Sequence, residues 1–227
     1  MIGTLYLVST PIGNLKDITL RAVDVLRQVD LIAAEDTRRS GILLRTYGIK
    51  KPILSYHDRN KRSRAEKLIG LLKAGKDCAL VSDSGTPGIQ DPGYHLVRLA
   101  IAEGIDIVPV PGASALLAAA VVSGLPIDKF AFEGYLPRRK GRRRKRIESL
   151  RDEMRTMIFY ESPYRLVDTL TDMRDILGER NCVVARELTK KFEEIVRGSI
   201  STILERYGNE EVKGEHVILL EGRGELY

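Results

Sequence analysis

The sequence predicts an α/β protein of two domains, with a mostly parallel sheet in the N-terminal domain and a mixed sheet in the C-terminal one. Three observations lead there. Short apolar runs alternate with stripes of helical period through the first 123 residues. Three of those runs open into loops rich in proline and glycine, and beyond Gly124 the crossovers shorten and β-rich runs take over. Strand–helix alternation favours parallel strands, because each parallel return needs a crossover long enough for a helix.

In the first half, residues 4–8, 31–34, 78–82 and 106–110 read as strands, with helices at 20–28, 38–47, 62–74, 93–103 and 114–123. Within 62–74, Ala65, Leu68, Ile69, Leu71 and Leu72 share one helical face, and Gly75 stops the run. Gly124-Leu125-Pro126 breaks the pattern, which sets the expected domains at 1–123 and 124–227. In the second half, 130–135, 156–160, 182–186 and 216–220 read as strands, with 192–196 turning back as a hairpin. Helices are expected at 142–151, 164–176 and 201–206.

Composition bounds the function. The 227 residues are 43% hydrophobic and 30% charged, as in a globular protein with room for sizeable cores. The longest apolar run, 115–122, is far short of the roughly 20 residues a membrane helix needs. The chain enters its first strand without a basic leader, so no signal peptide, no membrane partner and a cytoplasmic location are expected. Cys78 and Cys182 each sit inside an apolar run and read as buried, reduced thiols. No Cys/His spacing matches a metal site, and no metal is expected.

The net charge of +6 is local. Residues 138–146, RRKGRRRKR, carry eight positive charges, and the chain without them sums to −2. So dense a block calls for a polyanion, and nucleic-acid phosphate fits it. The strip holds no aromatic residue, so it reads as a phosphate contact rather than a base-stacking surface. A second basic cluster lies at 59–64.

The loops at 9–14 (STPIGN), 82–93 (SDSGTPGIQDPG) and 109–115 (PVPGASA) each follow a strand, where open α/β sheets bind ligands. Together they suggest one composite pocket. Neither a G-x-G-x-x-G dinucleotide fingerprint nor a phosphate-binding G-x-x-x-x-G-K-S/T is present. Asp83 stands at a strand end, where its carboxylate either accepts from a ribose or an amine or caps its own turn. Asp36 or Thr37 either caps the next helix or acts in the site. His57, Glu187 and Lys190 join Asp36 as candidate proton acceptors by residue type, without a choice among them. The turn Lys213-Gly214-Glu215 leads into the last strand.

The runs 9–22, 34–38, 82–93, 111–115, 159–163, 186–190 and 213–215 resemble, in order and nearly end to end, the bacterial small-subunit ribosomal RNA cytidine-2′-O-methyltransferases. Those enzymes have the tetrapyrrole methylase fold. The resemblance implies two α/β domains with S-adenosylmethionine in the cleft between them, small-subunit ribosomal RNA as partner, and a homodimer. Carried over residue by residue, it implies donor contacts at Pro11 and Gly13, at Asp83, Ser84, Gly85 and Ile89, and at Ser114 and Ala115. From the second domain it implies Tyr160, Glu187 and Gly214. Many relatives similar to this chain carry a further C-terminal helical extension, so any RNA contact made there is expected from other surface here. Two rivals remain: a methylase of a porphyrin-like small molecule, and an RNA-binding protein without catalysis. The first has little use for eight cations in nine positions, and the second has none for a donor-sized pocket.

Overall fold

The computed structural model describes residues 1–208 and 211–224. The chain divides into two compact units, Met1–Ser114 and Ala115–Tyr227.

The first unit alternates β1 (Leu5–Val8), α1 (Leu20–Gln28), β2 (Leu31–Ala34), α2 (Thr37–Thr46), β3 (Ile53–Ser55), α3 (Lys61–Lys73), β4 (Cys78–Val81), α4 (Gly93–Ala102) and β5 (Ile107–Val110). Its sheet is parallel throughout, in the order β3-β2-β4-β1-β5. Both faces are covered. Leu5, Leu68, Leu72, Leu80 and Leu96 fill one core, while Val8, Leu26, Ile32 and Val81 fill the other. Cys78 is buried on β4, and desolvation pushes its thiol up to about 11. Thr19 caps α1 through the Ala22 amide, and Asp36 caps α2 through the Arg38 amide. Strand β3 escapes the sequence pattern, because three residues behind Pro52 are too few to show a period.

The second unit comprises α5 (Ala115–Val121), β6 (Phe130–Tyr135), α6 (Lys140–Glu148), β7 (Thr156–Glu161), α7 (Leu166–Leu177), β8 (Asn181–Arg186), β9 (Glu194–Ser199), α8 (Ile200–Gly208) and β10 (His216–Leu220). Its sheet runs β6-β7-β10-β8-β9, with β6 and β7 parallel and the other neighbours antiparallel. Helix α5 packs on β7 and β10, so it sorts with this unit, and the Gly124-Leu125-Pro126 break lies inside it. A 3-10 turn, Pro163–Arg165, precedes α7, and Cys182 is buried on β8.

Candidate functional site

In the first unit, β1 is bracketed by β4 and β5 in register, with Val8 opposite both Val81 and Val110. The three expected loops therefore leave the sheet side by side at its carboxyl edge. They are laced together. Thr10 and Gly85 exchange both backbone hydrogen bonds, at 2.9 and 3.1 Å. The Thr10 hydroxyl donates to the Ser82 carbonyl at 3.1 Å, and the Ser82 hydroxyl to the Gly85 carbonyl at 3.0 Å. Thr86 reaches the Ser9 hydroxyl at 3.1 Å and donates to the Ala113 carbonyl at 3.4 Å. Gly85 has φ +80°, the left-handed backbone that brings its carbonyl and amide round to Thr10. Pro11 is buried, while Gly13, Ser84 and Ile89 are exposed and Ser114 and Ala115 are half-buried.

Asp83 does not cap its own turn. Its Oδ1 accepts from the Asp36 amide at 2.8 Å, tying the loop after β4 to the end of β2. Oδ2 lies 3.9 Å from the Arg39 guanidinium. Asp36 is a helix cap locked to Arg38, whose guanidinium and amide pull its carboxyl down to about 2. That is a poor proton acceptor at neutral pH.

The site holds a further group that the sequence pattern does not mark. Glu35, one residue past β2, and Asp91, in the loop after β4, share a hydrogen bond beside a small cavity lined by Tyr56, Pro87 and Pro92. Burial and the neighbouring Glu35 charge raise Asp91 from the usual 3.8 to about 7, and Glu35 is raised as well. Both positions are strand-end acids, but their separation of 56 positions along the chain hides their pairing. The folded state holds a proton that the unfolded chain releases between about pH 4 and 7. Stability from this pair is thus full below pH 4, falls as pH rises through that window, and is flat above it. Asp91→Asn is expected to exceed the parent in stability by about 1–2 kcal/mol at pH 8, after discounting for solvent screening, and to match it near pH 4. Denaturant titrations at the two pH values check this.

In the second unit, Tyr160, Glu187 and Gly214 lie at one edge of the sheet, because β10 begins at His216 opposite both Glu161 and Arg186. The segment after β8 is strained, with positive φ at Glu187 (48°) and Thr189 (66°). Glu187 Oε1 accepts from the Glu215 amide at 2.9 Å and from Lys190 Nζ at 3.0 Å, and Lys190 also meets Glu215 at 2.9 Å. Gly214 has φ +88°, and a Cβ there would stand 2.4 Å from Glu187 Cγ. Burial works against the charge on both Glu187 and Lys190, yet their mutual pairing wins. Glu187 is held below the usual carboxylate range and Lys190 above the usual amine value, so neither is poised to take a proton at pH 7.

The basic strip divides in two. Arg143 is 3% exposed and donates to Asp172, also 3% exposed, at 2.7 Å. Arg144 meets the other Asp172 oxygen at 2.6 Å, and Arg146 Nε donates to Glu133 at 3.0 Å. These three cations are engaged within the fold, which corrects the expectation that the whole strip contacts phosphate. Arg138, Arg139, Lys140, Arg142 and Lys145 are exposed and make no ion pair among the described residues. No described helix is long and apolar enough to cross a membrane.

A family described as Tetrapyrrole (Corrin/Porphyrin) Methylases matches residues 4–204. A protein of Thermotoga maritima named ribosomal RNA small subunit methyltransferase I is 50% identical over 221 residues, covering 97% of this chain and 99% of that one. Its namesake in Bacillus subtilis is 48% identical, covering 97% of this chain and 75% of the relative. Among solved structures, a diphthine synthase superposes with a TM-score of 0.77 at 15% identity, over 97% of this chain and 90% of that one. A uroporphyrin-III C-methyl transferase from Thermus thermophilus, complexed with S-adenyl homocysteine, gives 0.66 at 19% identity, over 96% and 97%. The order of a parallel sheet followed by a mixed one and the match along nearly the whole sequence agree: this chain belongs to the tetrapyrrole methylase family and is a methyltransferase.

Proposed function

We propose that the protein transfers the methyl group of S-adenosylmethionine to the ribose 2′-hydroxyl of a cytidine in small-subunit ribosomal RNA, acting as a cytoplasmic homodimer. The observation that carries this reading is half identity, along nearly the full length, to relatives named for small-subunit ribosomal RNA methylation. The loop cluster fits the donor. It offers exposed backbone at Gly13 and Ser84, and a carboxylate on Asp83 suited to a ribose hydroxyl or an amine. Pro11, Gly85, Ile89, Ser114 and Ala115 complete that contact set. Tyr160, Glu187 and Gly214 are proposed as donor contacts from the resemblance alone. A solved methyltransferase of the same fold holds S-adenyl homocysteine, the demethylated form of this donor.

S-adenosylmethionine, when bound, supplies a methyl group on a sulfonium that leaves without activation. The chain's own work is then to orient the 2′-oxygen, exclude water and accept one proton. Orientation alone is worth about 7–11 kcal/mol of barrier in favourable cases. The cross-bonded loops suit that task, since Thr10, Ser82, Gly85 and Thr86 hold one another in place before any ligand arrives. With Asp36 held low and Lys190 held protonated, the Glu35–Asp91 pair is left as the carboxyl group nearest neutrality.

Five exposed cations on one strip set the salt dependence of RNA binding. Replacing Arg138, Arg139, Lys140, Arg142 and Lys145 with glutamine is expected to weaken binding of a small-subunit RNA fragment by at least about tenfold at moderate salt. The log–log salt slope should become shallower by about 0.7 for each single-strand phosphate that the variant no longer neutralises. Affinity for S-adenosylmethionine should stay the same. Filter binding across a salt series checks it, and unchanged RNA affinity would remove the strip from the RNA interface.

A further inference from the structure

We propose that Tyr135 and Tyr164 form a stacking edge in the second unit for an unpaired nucleobase, beside the cations that hold the flanking phosphates. The inference rests on the RNA reading above. Tyr135 ends β6 and is 53% exposed; Tyr164 sits in the 3-10 turn after β7 and is 93% exposed. Strands β6 and β7 are parallel neighbours with Tyr135 opposite Tyr160, so the segments that follow them emerge together.

Both tyrosines are presented by a fixed scaffold. Glu161, buried at the end of β7, accepts from the Thr169 hydroxyl at 2.7 Å and from the Ser162 amide at 2.7 Å. The same carboxylate pairs with Arg165 at 2.6 Å, and Arg165 donates onward to the Leu136 carbonyl at 3.1 Å. Leu136 adjoins Tyr135, and Arg165 adjoins Tyr164. One ion pair on a buried carboxylate therefore clamps the two ring-bearing segments to each other. Behind them Tyr160 packs edgewise on Tyr135, with ring centroids 5.6 Å apart at 61°, and on Phe132 at 5.0 Å and 68°. Tyr135, braced in this way, loses little further freedom on binding, and tyrosine has few torsions to lose.

Charge selects the occupant. From Tyr135 the chain runs through Leu136 and Pro137 into Arg138, Arg139 and Lys140, so the Arg138 backbone lies within about 11 Å of the Tyr135 backbone by chain length alone. Exposed aromatic faces beside cations of a single sign suit a ligand that alternates flat rings with negative charges. Single-stranded RNA has that pattern, and every base has a face to stack.

The test compares two 12-mers by fluorescence anisotropy on the full chain: oligocytidylate, and a ribose-phosphate strand of the same length without bases. The parent protein is expected to bind oligocytidylate about tenfold or more tightly than the abasic strand, given the usual strength of aromatic stacking. Tyr135→Ala with Tyr164→Ala should erase that preference and leave abasic binding unchanged. Tyr135→Phe with Tyr164→Phe should keep it, because stacking needs the ring and not the hydroxyl. A double alanine variant that retains the preference overturns the proposal. So does a parent protein that binds both strands equally, although RNA binding itself then stands. A parent protein that binds neither strand sinks the stacking edge and the RNA reading together.

Discussion

Arg143→Ala is expected to destabilise the protein by about 1.5–3 kcal/mol, the usual worth of a hydrogen bond to a charged group, since the buried carboxylate it pairs with keeps a second guanidinium. Arg143 and Asp172 are each 3% exposed, and Asp172 sits on α7 with its second oxygen taken by Arg144. Burial alone would raise the Asp172 pKa, but the two guanidiniums hold it below the ordinary carboxylate value. Removal of Arg143 leaves Oδ2 of that buried carboxylate without its donor, while Arg144 still holds Oδ1. Arg142→Ala, one residue away on the exposed side of α6, is expected to leave stability within about 0.5 kcal/mol of the parent. Replacing Arg143 and Asp172 together with methionine and leucine should restore most of the loss, because no buried carboxylate is then left short of a donor. Thermal melts of the four proteins decide it. Equal melting of the Arg143 and Arg142 single variants would show the buried pair to be inert.

Asp83→Ala is expected to raise the dissociation constant for S-adenosylmethionine by about 10- to 100-fold, the range for losing hydrogen bonds to a charged acceptor. One ambiguity is built into the geometry, since Asp83 Oδ1 also accepts from the Asp36 amide at 2.8 Å. Asp83→Asn separates the two roles. The amide oxygen keeps the tie to Asp36, while the charge that faces the ligand is gone. Donor affinity reduced in both variants, with stability reduced only in the alanine, is the expected pattern in calorimetry and melting. Parent-like affinity in Asp83→Asn would reduce Asp83 to a strut between two loops.

The parallel half was legible because each of its long elements shows its own period. Leu68, Ile69 and Leu72 mark α3, and the apolar runs at 31–34 and 78–81 mark the central strands β2 and β4, buried on both faces. Loop chemistry was legible too, since Pro11, Gly85 and Gly112 punctuate strand ends. What the sequence concealed is pairing at a distance. Helical spacing from Ile147 puts Arg143 on the inner face and Arg142 outside it, but the carboxylate that makes Arg143 structural, Asp172, lies 29 residues on. Glu35 and Asp91 are likewise joined only by the neighbouring positions of β2 and β4 in the sheet. The strip itself holds no aromatic residue, yet the parallel pairing of β6 and β7 brings Tyr135, three residues before the strip, to the same edge as the segment that leads to Tyr164.

Incubation of the purified protein with methyl-labelled S-adenosylmethionine and unmethylated small ribosomal subunits, followed by nucleoside mass spectrometry, asks the central question outright. Label recovered as 2′-O-methylcytidine is the outcome expected here. Label on a base or on a tetrapyrrole supplied in its place, with none on a ribose oxygen, would contradict the account.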